Sequence, residues 1–294
     1  MSPVPPAVRS LLERPGVTDV LVNDGVHLWV EVDGSLQPAG RLRRGEIDAA
    51  LERVLAPLGR RLDHLSPIVD ARLDDGTRVC AVIHPIATSG TCVAFRRFAP
   101  VSWTLHDFDA PHLASLVSDR RNVLVSGATG SGKTSLLGCL IDLVPSDERI
   151  VVIEDTREIV TAHPHCVRLE SRPATAEGRG QVGLDDLVRG SLRLRPDRLV
   201  VGEVRGSEAS ALVMALTTGH RGSLATVHAD SVEAALERLR ALVMLASHGW
   251  SDDLARRLVE SSFDALVHVE RARDGRRRVV DVRLDSISPA ESMR

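Results

Sequence analysis

Aromatic residues are scarce in this chain of 294 residues, which contains four phenylalanines, three tryptophans and no tyrosine. Proteins that bind single-stranded nucleic acid use aromatic side chains as stacking platforms, and few are present here. Positive charge is not in excess either, because the formal net charge is −3, whereas nucleic-acid binding relies on a basic surface. We therefore expect no direct binding of nucleic acid.

Long apolar runs and paired cysteines are also missing. No stretch approaches the roughly 18 uninterrupted apolar residues of a membrane-spanning helix, and the first residues lack the pattern of a secretory signal. The four cysteines are scattered without C-x-x-C spacing, which argues against a zinc site and against a disulfide framework. These absences together predict a cytoplasmic protein.

Asp-Gly pairs divide the first eighty residues, at Asp24-Gly25, Asp33-Gly34 and Asp75-Gly76. Such pairs favour tight hairpin turns, and the segments between them are rich in β-branched residues, as expected of strands. One amphipathic helix is predicted over residues 47–58, where apolar residues recur on one face. The sequence predicts a small α+β domain over residues 1–98.

Residues 99–111 (APVSWTLHDFDAP) show no clear hydrophobic period and are bounded by prolines, which predicts a linker between domains. From residue 112 onward, apolar runs alternate with helical stretches. This alternation is typical of a mostly parallel sheet covered by helices on both faces. We expect an α/β domain over residues 112–294.

A phosphate-binding loop is predicted at GATGSGKT, residues 127–134, which fits the pattern G-x-x-x-x-G-K-[ST] between an apolar strand and an apolar helix. Its glycines allow several backbone N–H groups to converge on a phosphate, and the helix that follows adds positive potential. We expect Lys133 to reach the β- and γ-phosphates of ATP and Thr134 to hold Mg²⁺. The predicted nucleotide-binding residues are Gly127, Ala128, Thr129, Gly130, Ser131, Gly132, Lys133, Thr134 and Ser135.

Lysine is the rarest basic residue, since Lys133 is the only lysine among the 37 lysines and arginines. The planar guanidinium of arginine cannot replace a compact ammonium on a flexible stem inside a tight phosphate cradle. The one lysine therefore stands where phosphate chemistry requires it. A glycine-rich turn without a ligand is the alternative.

Two predicted strands end in carboxylates, at Glu154-Asp155 and at Glu203. Ligands of open α/β sheets bind at the carboxyl ends of the strands, where carboxylates can orient the waters of Mg²⁺ or polarise an attacking water. Solvated helix caps are the alternative for either site. We predict that Glu203 and Glu154 are catalytic and that Glu203, together with Thr134, helps to hold the metal ion.

Four segments of the chain resemble, in order, the Walker A, Asp-box, Walker B and His-box segments of the type II/type IV secretion ATPase superfamily. They are GATGSGKT (127–134), RIVVIEDTREI (149–159), SLRLRPDRLVVGEVRG (191–206) and TGHRGSLATVHADS (218–231). The likeness is greatest to the Flp/Tad pilus-assembly branch. It extends upstream through residues 17–31, 75–87 and 92–98, and so covers nearly the whole chain.

This resemblance implies a RecA-like P-loop NTPase domain preceded by a small α+β, PAS-like N-terminal domain. It also implies a homo-oligomer, a hexameric ring in the cytoplasm at the inner face of the cytoplasmic membrane. ATP with Mg²⁺ would bind between the two domains. Its hydrolysis would drive their relative motion, which an inner-membrane platform protein would receive to assemble a pilus or move a substrate.

The resemblance also implies roles for individual residues. The catalytic set that it implies is Glu203, Glu154, His228, His220, Arg78 and Arg96. Arg78 and Arg96 would reach the phosphates from the N-terminal domain and stabilise the charge of phosphoryl transfer, and Arg205 would support Glu203 indirectly. Ordinary surface arginines and structural histidines are the alternatives.

Three other functions remain open at the level of sequence. A conjugation-type DNA-transfer ATPase has the same four segments and a different cargo. A ring scaffold would bind ATP and barely hydrolyse it, which Glu203 argues against. A small-molecule kinase is disfavoured because a domain precedes the loop and no acceptor motif is visible. The strand that ends in Gly202-Glu203 lacks the Asp-Glu pair of many P-loop enzymes, which leaves Thr134 as the only clear direct metal ligand.

Overall fold

The computed structural model describes residues 3–32, 34–97, 103–175, 178–246, 250–272 and 274–284. The chain divides into two compact units, one formed by the residues up to 100 together with 174–180 and the other by the remainder. None of the helices within the described residues is long and apolar enough to cross a membrane.

Within its described residues, the first unit is an antiparallel sheet of six strands with two α-helices, and its strand order is β3-β2-β1-β6-β5-β4. The elements are α1 (Pro6–Leu12), β1 (Val17–Asn23), β2 (His27–Val32), β3 (Ser35–Arg41), α2 (Glu46–Leu55), β4 (Ile68–Arg72), β5 (Arg78–Val82) and β6 (Cys92–Arg96). The predicted α+β character of this region is thereby confirmed.

The turn between β1 and β2 shows why the Asp-Gly signal works. Asp24 and Gly25 both have positive φ, at 50° and 74°, as a tight hairpin turn requires, and three residues connect the paired Asn23 and His27. One carboxylate oxygen of Asp24 accepts a hydrogen bond from the backbone N–H of His27 at 3.2 Å and stabilises the turn. The helix predicted nearby forms as α2, which buries Ile47 and Leu51 in the core of this unit.

The second unit, as far as the structure describes it, is a seven-stranded sheet with the order β13-β12-β7-β11-β10-β8-β9. All of its neighbouring strands are parallel except β13, which pairs antiparallel with β12 at one edge. Its strands are β7 (Val123–Gly127), β8 (Ile150–Glu154), β9 (Cys166–Glu170), β10 (Arg198–Val204), β11 (Leu224–His228), β12 (Ala265–Arg271) and β13 (Arg277–Leu284). Its helices are α3 (Ala114–Ser118), α4 (Lys133–Ile141), α5 (Leu184–Ser191), α6 (Glu208–Thr217), α7 (Val232–Ala246) and α8 (Asp252–Ser262).

Strand β7 lies near the middle of this sheet and is buried on both faces. Leu124 contributes to a core covered by α5 to α8, whereas Val123 and Val125 contribute to a second core that includes residues of α3 and α4. Alternate side chains of a strand point to opposite faces of a sheet, so two cores are the expected result. The predicted parallel sheet with helices on both faces is confirmed.

Part of the predicted linker is folded into the second unit. Leu105–Phe108 and Pro111–Leu113 form short 3₁₀ turns, and Phe108 is fully buried beside residues of α4. Such turns are too short to produce a hydrophobic period, which is why the sequence indicated a linker here. The stretch 99–102 of that prediction lies outside the described residues.

The buried guanidinium of Arg198 stabilises the amino-terminal edge of the second sheet. Arg198, which is 1% exposed, donates to both carboxylate oxygens of Glu148, at 2.8 and 3.1 Å, and to the carbonyl of Val117 at 3.0 Å. Arg120 forms a second ion pair with Glu148. The hydrogen bond from Arg198 is the main reason why the pKa of Glu148 lies below its ordinary value, against the opposing effect of burial.

We predict that Glu148→Gln lowers the free energy of unfolding by about 3 kcal/mol at pH 7, because it leaves the buried Arg198 without its counter-charge. Since the pKa of Glu148 is lowered in the folded state, the wild type loses this advantage as the pH falls below 4.5, the ordinary value. Urea denaturation at several pH values measures both effects. Glu237→Gln, at an exposed side chain, serves as the control, and an equal effect of both substitutions would contradict the prediction.

Candidate active site

The loop between β7 and α4 has the backbone of a phosphate cradle. Gly127 and Gly132 have φ values of 155° and 105°, in a region that favours glycine. A Cβ atom on Gly127 would lie 2.3 Å from the carbonyl oxygen of Val269, and one on Gly132 would lie 2.4 Å from Cδ of Arg277. Any other residue at these two positions would therefore have to displace a neighbour.

The ammonium of Lys133 is enclosed by this loop. Its Nζ donates hydrogen bonds of 2.9 Å to the carbonyls of Gly127 and Ala128, and the residue is 8% exposed. Burial lowers the pKa of Lys133, whereas the charges of Glu203 and Glu158 oppose this shift. The structure thus places the single lysine where a phosphate bound by the loop would meet it.

The remaining loop residues fit a phosphate as well. The hydroxyl of Ser131 is buried and has no hydrogen-bond partner among the described residues. The first N–H groups of α4 have no intrahelical acceptor, as at any helix start, and they carry the positive end of the helix dipole. Ala128 and Thr129 are exposed at the loop tip, and Thr134 and Ser135 are half-buried in the first turn of α4. The cradle, the ammonium and the orphaned hydroxyl together suit a polyphosphate.

No cluster of three or more His, Cys, Asp or Glu side chains is placed to hold a metal ion within the part of the chain that the structure describes. Mg²⁺ in nucleotide sites is held by few protein ligands together with phosphate oxygens and water. The hydroxyl of Thr134, with phosphate oxygens, fits that coordination chemistry better than an all-protein cage would.

Glu203 is turned out of β10 by an irregularity in the strand. Val201 and Val204 of β10 are opposite Ala225 and Val227 of β11, so β10 contains one extra residue, as in a β-bulge. Bulges next to active sites re-aim side chains. Glu203 is exposed between buried neighbours, and its charge acts on Lys133.

Glu154 has a different environment from Glu203. It ends β8 and is 5% exposed, and its Oε1 accepts the backbone N–H groups of Glu158 and Ile159, both at 2.8 Å. Burial raises the pKa of Glu154, although these two hydrogen bonds and Arg168 act against the rise. The visible contacts of Glu154 therefore hold the turn that follows β8.

Glu158 is a candidate that the sequence reasoning missed. It is exposed on the turn that Glu154 holds, and its charge acts on Lys133 together with that of Glu203. The sequence signal that could have indicated Glu158 is its position four residues after Glu154, the end of the buried strand β8. The turn geometry that aims it cannot be read from residue types alone.

The two histidines of the fourth segment lie at opposite edges of the sheet. His228 ends β11 directly opposite Gly127 of β7, which places it beside the loop. His220 precedes β11, where its Nδ1 lies 3.0 Å from the carbonyl of Ala215 and its own carbonyl accepts a bond from Ser223. Because α6 runs back from the carboxyl-terminal edge to the amino-terminal edge, the structure does not bring His220 to the loop of its own chain, and its catalytic role stays a prediction.

Arg78 and Arg96 lie together in the first unit. They are direct partners on the antiparallel strands β5 and β6, and Nε of Arg96 donates to Asp19 at 3.0 Å. Like charges directly opposite each other repel, and the carboxylate of Asp19 offsets part of that repulsion. In the second unit, Arg205 forms an ion pair with Asp155, which joins the carboxyl ends of β10 and β8.

We predict that Lys133→Met weakens ATP binding at least about tenfold, because a charge-assisted contact contributes about 1.5–3 kcal/mol. The free energy of unfolding should change by less than about 1 kcal/mol, since the substitution also removes a buried charge. Titration calorimetry and urea denaturation measure the two quantities.

Lys133→Arg is the matched variant, because it keeps the charge and changes the shape. It should also lose ATP affinity, since a planar fork does not fit between the carbonyls of Gly127 and Ala128. Wild-type affinity in both variants would refute the assignment of the loop.

The chain is similar to known proteins over most of its length. The family described as "Type II/IV secretion system protein" matches residues 6–284. A protein of Mycobacterium tuberculosis named for conjugal transfer is 41% identical, and the match covers 94% of this chain and 82% of that protein. The type IV secretion system protein PtlH of Bordetella pertussis is 33% identical, with 94% of this chain and 92% of PtlH covered.

A solved structure is also similar to the chain over nearly its whole length. The VirB11 ATPase from the type IV secretion system of Brucella suis superposes with a TM-score of 0.53 at 26% identity, covering 95% of this chain and 92% of that structure. The similarity therefore spans both units of the chain.

Proposed function

The chain belongs to the type II/IV secretion system protein family, and from this premise we propose that it is an ATPase motor that powers type IV secretion or the assembly of a pilus. The observation that carries the proposal is the ammonium of Lys133 enclosed in a glycine cradle, with the carboxylates Glu203 and Glu158 acting on it. This arrangement provides both a phosphate site and acidic groups beside it.

Each residue of the site has a separate task in ATP hydrolysis. Lys133 and the loop N–H groups bind the β- and γ-phosphates, and the Ser131 hydroxyl gives the loop a further donor. Thr134 would hold Mg²⁺, which supplies charge neutralisation of the phosphates when bound. Glu203 orients the attacking water and accepts its proton, and His228 lies on the strand beside the loop.

Two carboxylates could serve the attacking water, because both Glu203 and Glu158 are exposed. We assign the water to Glu203, since the extra residue in β10 turns it out of a strand that is otherwise buried. Glu154 supports this region by holding the turn that carries Glu158.

Glu203→Gln should lower the turnover of ATP by about 100-fold or more, the size of a lost general base, and should leave ATP affinity near that of the wild type. Steady-state phosphate release and titration calorimetry separate these two quantities. Glu237→Gln is the control at an exposed helical site. Unchanged turnover in Glu203→Gln would remove the hydrolytic role and would favour a ring scaffold that only binds ATP.

We further propose that the active form is a homo-oligomer, a hexameric ring that docks on an inner-membrane platform protein from the cytoplasmic side. Arg78 and Arg96 would then supply positive charge to the transferring phosphate, and a hinge in residues 99–111 would let the two units move as ATP turns over. The family membership and the paired arginines of the first unit support this extension.

Assembly into rings predicts that the specific ATPase activity depends on the protein concentration. Specific ATPase activity should rise with protein concentration and then level off as rings form, because in the proposed ring each site is completed by an arginine that assembly positions. Activity assays with sedimentation at the same concentrations measure the two curves. Constant specific activity across the range in which the oligomer dissociates would contradict the proposal.

Conjugation-type DNA transfer is the second candidate, and the 41% identical protein named for conjugal transfer favours it. The same motor would then move a nucleoprotein, although the net charge of −3 argues against direct contact with the nucleic acid. Neighbouring genes separate the two functions, since pilin and prepilin peptidase genes indicate a pilus and a relaxase gene indicates conjugation.

A further inference from the structure

Arg277, the first residue of β13, packs against the phosphate-binding loop. Its Cδ and Nε lie 2.4 and 3.0 Å from the position that a Cβ on Gly132 would take. Gly132 immediately precedes Lys133, so the stem of Arg277 covers the point where the loop enters α4. This contact is not readable from the sequence, because more than 140 residues separate the two positions along the chain.

Aromatic residues hold the guanidinium of Arg277 in place. Its Cζ lies 4.4 Å from the centroid of the Trp103 ring, within the range of a cation–π interaction. Trp103 in turn contacts Phe108, with ring centroids 5.8 Å apart, and Phe108 also borders Gly132. The position of the charge is therefore fixed by packing and not by an ion pair.

Arg277 differs from its neighbours in the hairpin in having no anionic partner among the residues that the structure describes. Arg276 lies near Asp274 and Arg278 near Asp109, whereas no carboxylate of the described residues forms an ion pair with Arg277. Its Nε is buried without a hydrogen-bond partner in the same part of the chain.

A second cation lies opposite Arg277, since Arg271 is its direct partner on β12. Burial and the charge of Arg271 both lower the pKa of Arg277. The first N–H groups of α4 add positive potential nearby. Arg277 and the start of α4 thus place positive charge beside the loop, Arg271 repels Arg277, and no carboxylate of the described residues is ion-paired with Arg277.

We propose that Arg277 is a phosphate-binding residue of the nucleotide site, and that its guanidinium contacts the polyphosphate held by the loop at residues 127–134. The proposal rests on the function proposed above. Trp103 is then a positioning residue that holds the guanidinium toward the loop. A polyphosphate is favoured over a nucleobase because only an anion relieves the repulsion between Arg277 and Arg271.

The test measures the affinity of the full chain for two ligands, ATP and inorganic tripolyphosphate, each with Mg²⁺, by titration calorimetry. Arg277→Met keeps the aliphatic stem against Gly132 and Trp103 and removes the charge. Arg276→Ala removes one charge from the adjacent exposed position and is the matched control. Arg277→Gln is the second variant if Arg277→Met does not fold, as judged by circular dichroism.

We expect Arg277→Met to bind both ligands about tenfold more weakly than the wild type, the loss typical of one charge-assisted hydrogen bond, and Arg276→Ala to bind both like the wild type. The emission of Trp103, isolated by its loss in Trp103→Phe, should change when tripolyphosphate binds to the wild type. That change should be much smaller in Arg277→Met, an effect that a merely structural arginine would not produce.

Three results would overturn the proposal. Equal affinities in Arg277→Met and the wild type would show that Arg277 does not contact the ligand. A loss confined to ATP, with tripolyphosphate unaffected, would place Arg277 at the base or the ribose. A wild type that binds neither ligand would remove the phosphate site itself and with it the proposed function, which is a different outcome from the first two.

Discussion

An ammonium group buried inside a loop of carbonyl oxygens is the constraint on which this structure depends. Lys133 can take that position only because the loop has no side chains at Gly127 and Gly132, where a Cβ would meet neighbouring atoms. The charge is tolerated because two carbonyls and two nearby carboxylates partly replace water. A bound phosphate completes that replacement, which is the physical reason why such a loop favours an anion.

The carboxylates around the loop have different roles because they are buried to different extents. Glu154 is almost fully enclosed and accepts two backbone N–H groups, so it shapes the chain. Glu203 and Glu158 are exposed and act on Lys133 through their charge, so they are free to meet water and substrate. A strand irregularity provides the exposure of Glu203 and a turn provides that of Glu158, although all three belong to the same sheet edge.

Local signals were readable from the sequence, and contacts between distant segments were not. The Asp24-Gly25 turn, helix α2 and the phosphate-binding loop each depend on residues close together in the chain, and the structure contains all three as expected. The strand alternation likewise predicted the parallel sheet. By contrast, the direction of α6 decides which edge His220 occupies, and packing on α4 decides that Phe108 belongs to a core. Those outcomes follow from tertiary structure, as does the contact of Arg277 with Gly132. The catalytic roles that were predicted stay predictions for Glu203, Glu154, His228, His220, Arg78 and Arg96.

The enclosure of Lys133 also determines how the chain responds to chemistry directed at amines. Acetylating reagents, crosslinking esters and enzymes that attach ubiquitin-like tags all require a lysine side chain or a free amino terminus. This chain offers them one side-chain target, and that target is shielded by the carbonyls of Gly127 and Ala128. Any acylation of a side-chain amine in this protein is therefore also an attack on its phosphate site, and a tag cannot be placed on a lysine without disabling the loop.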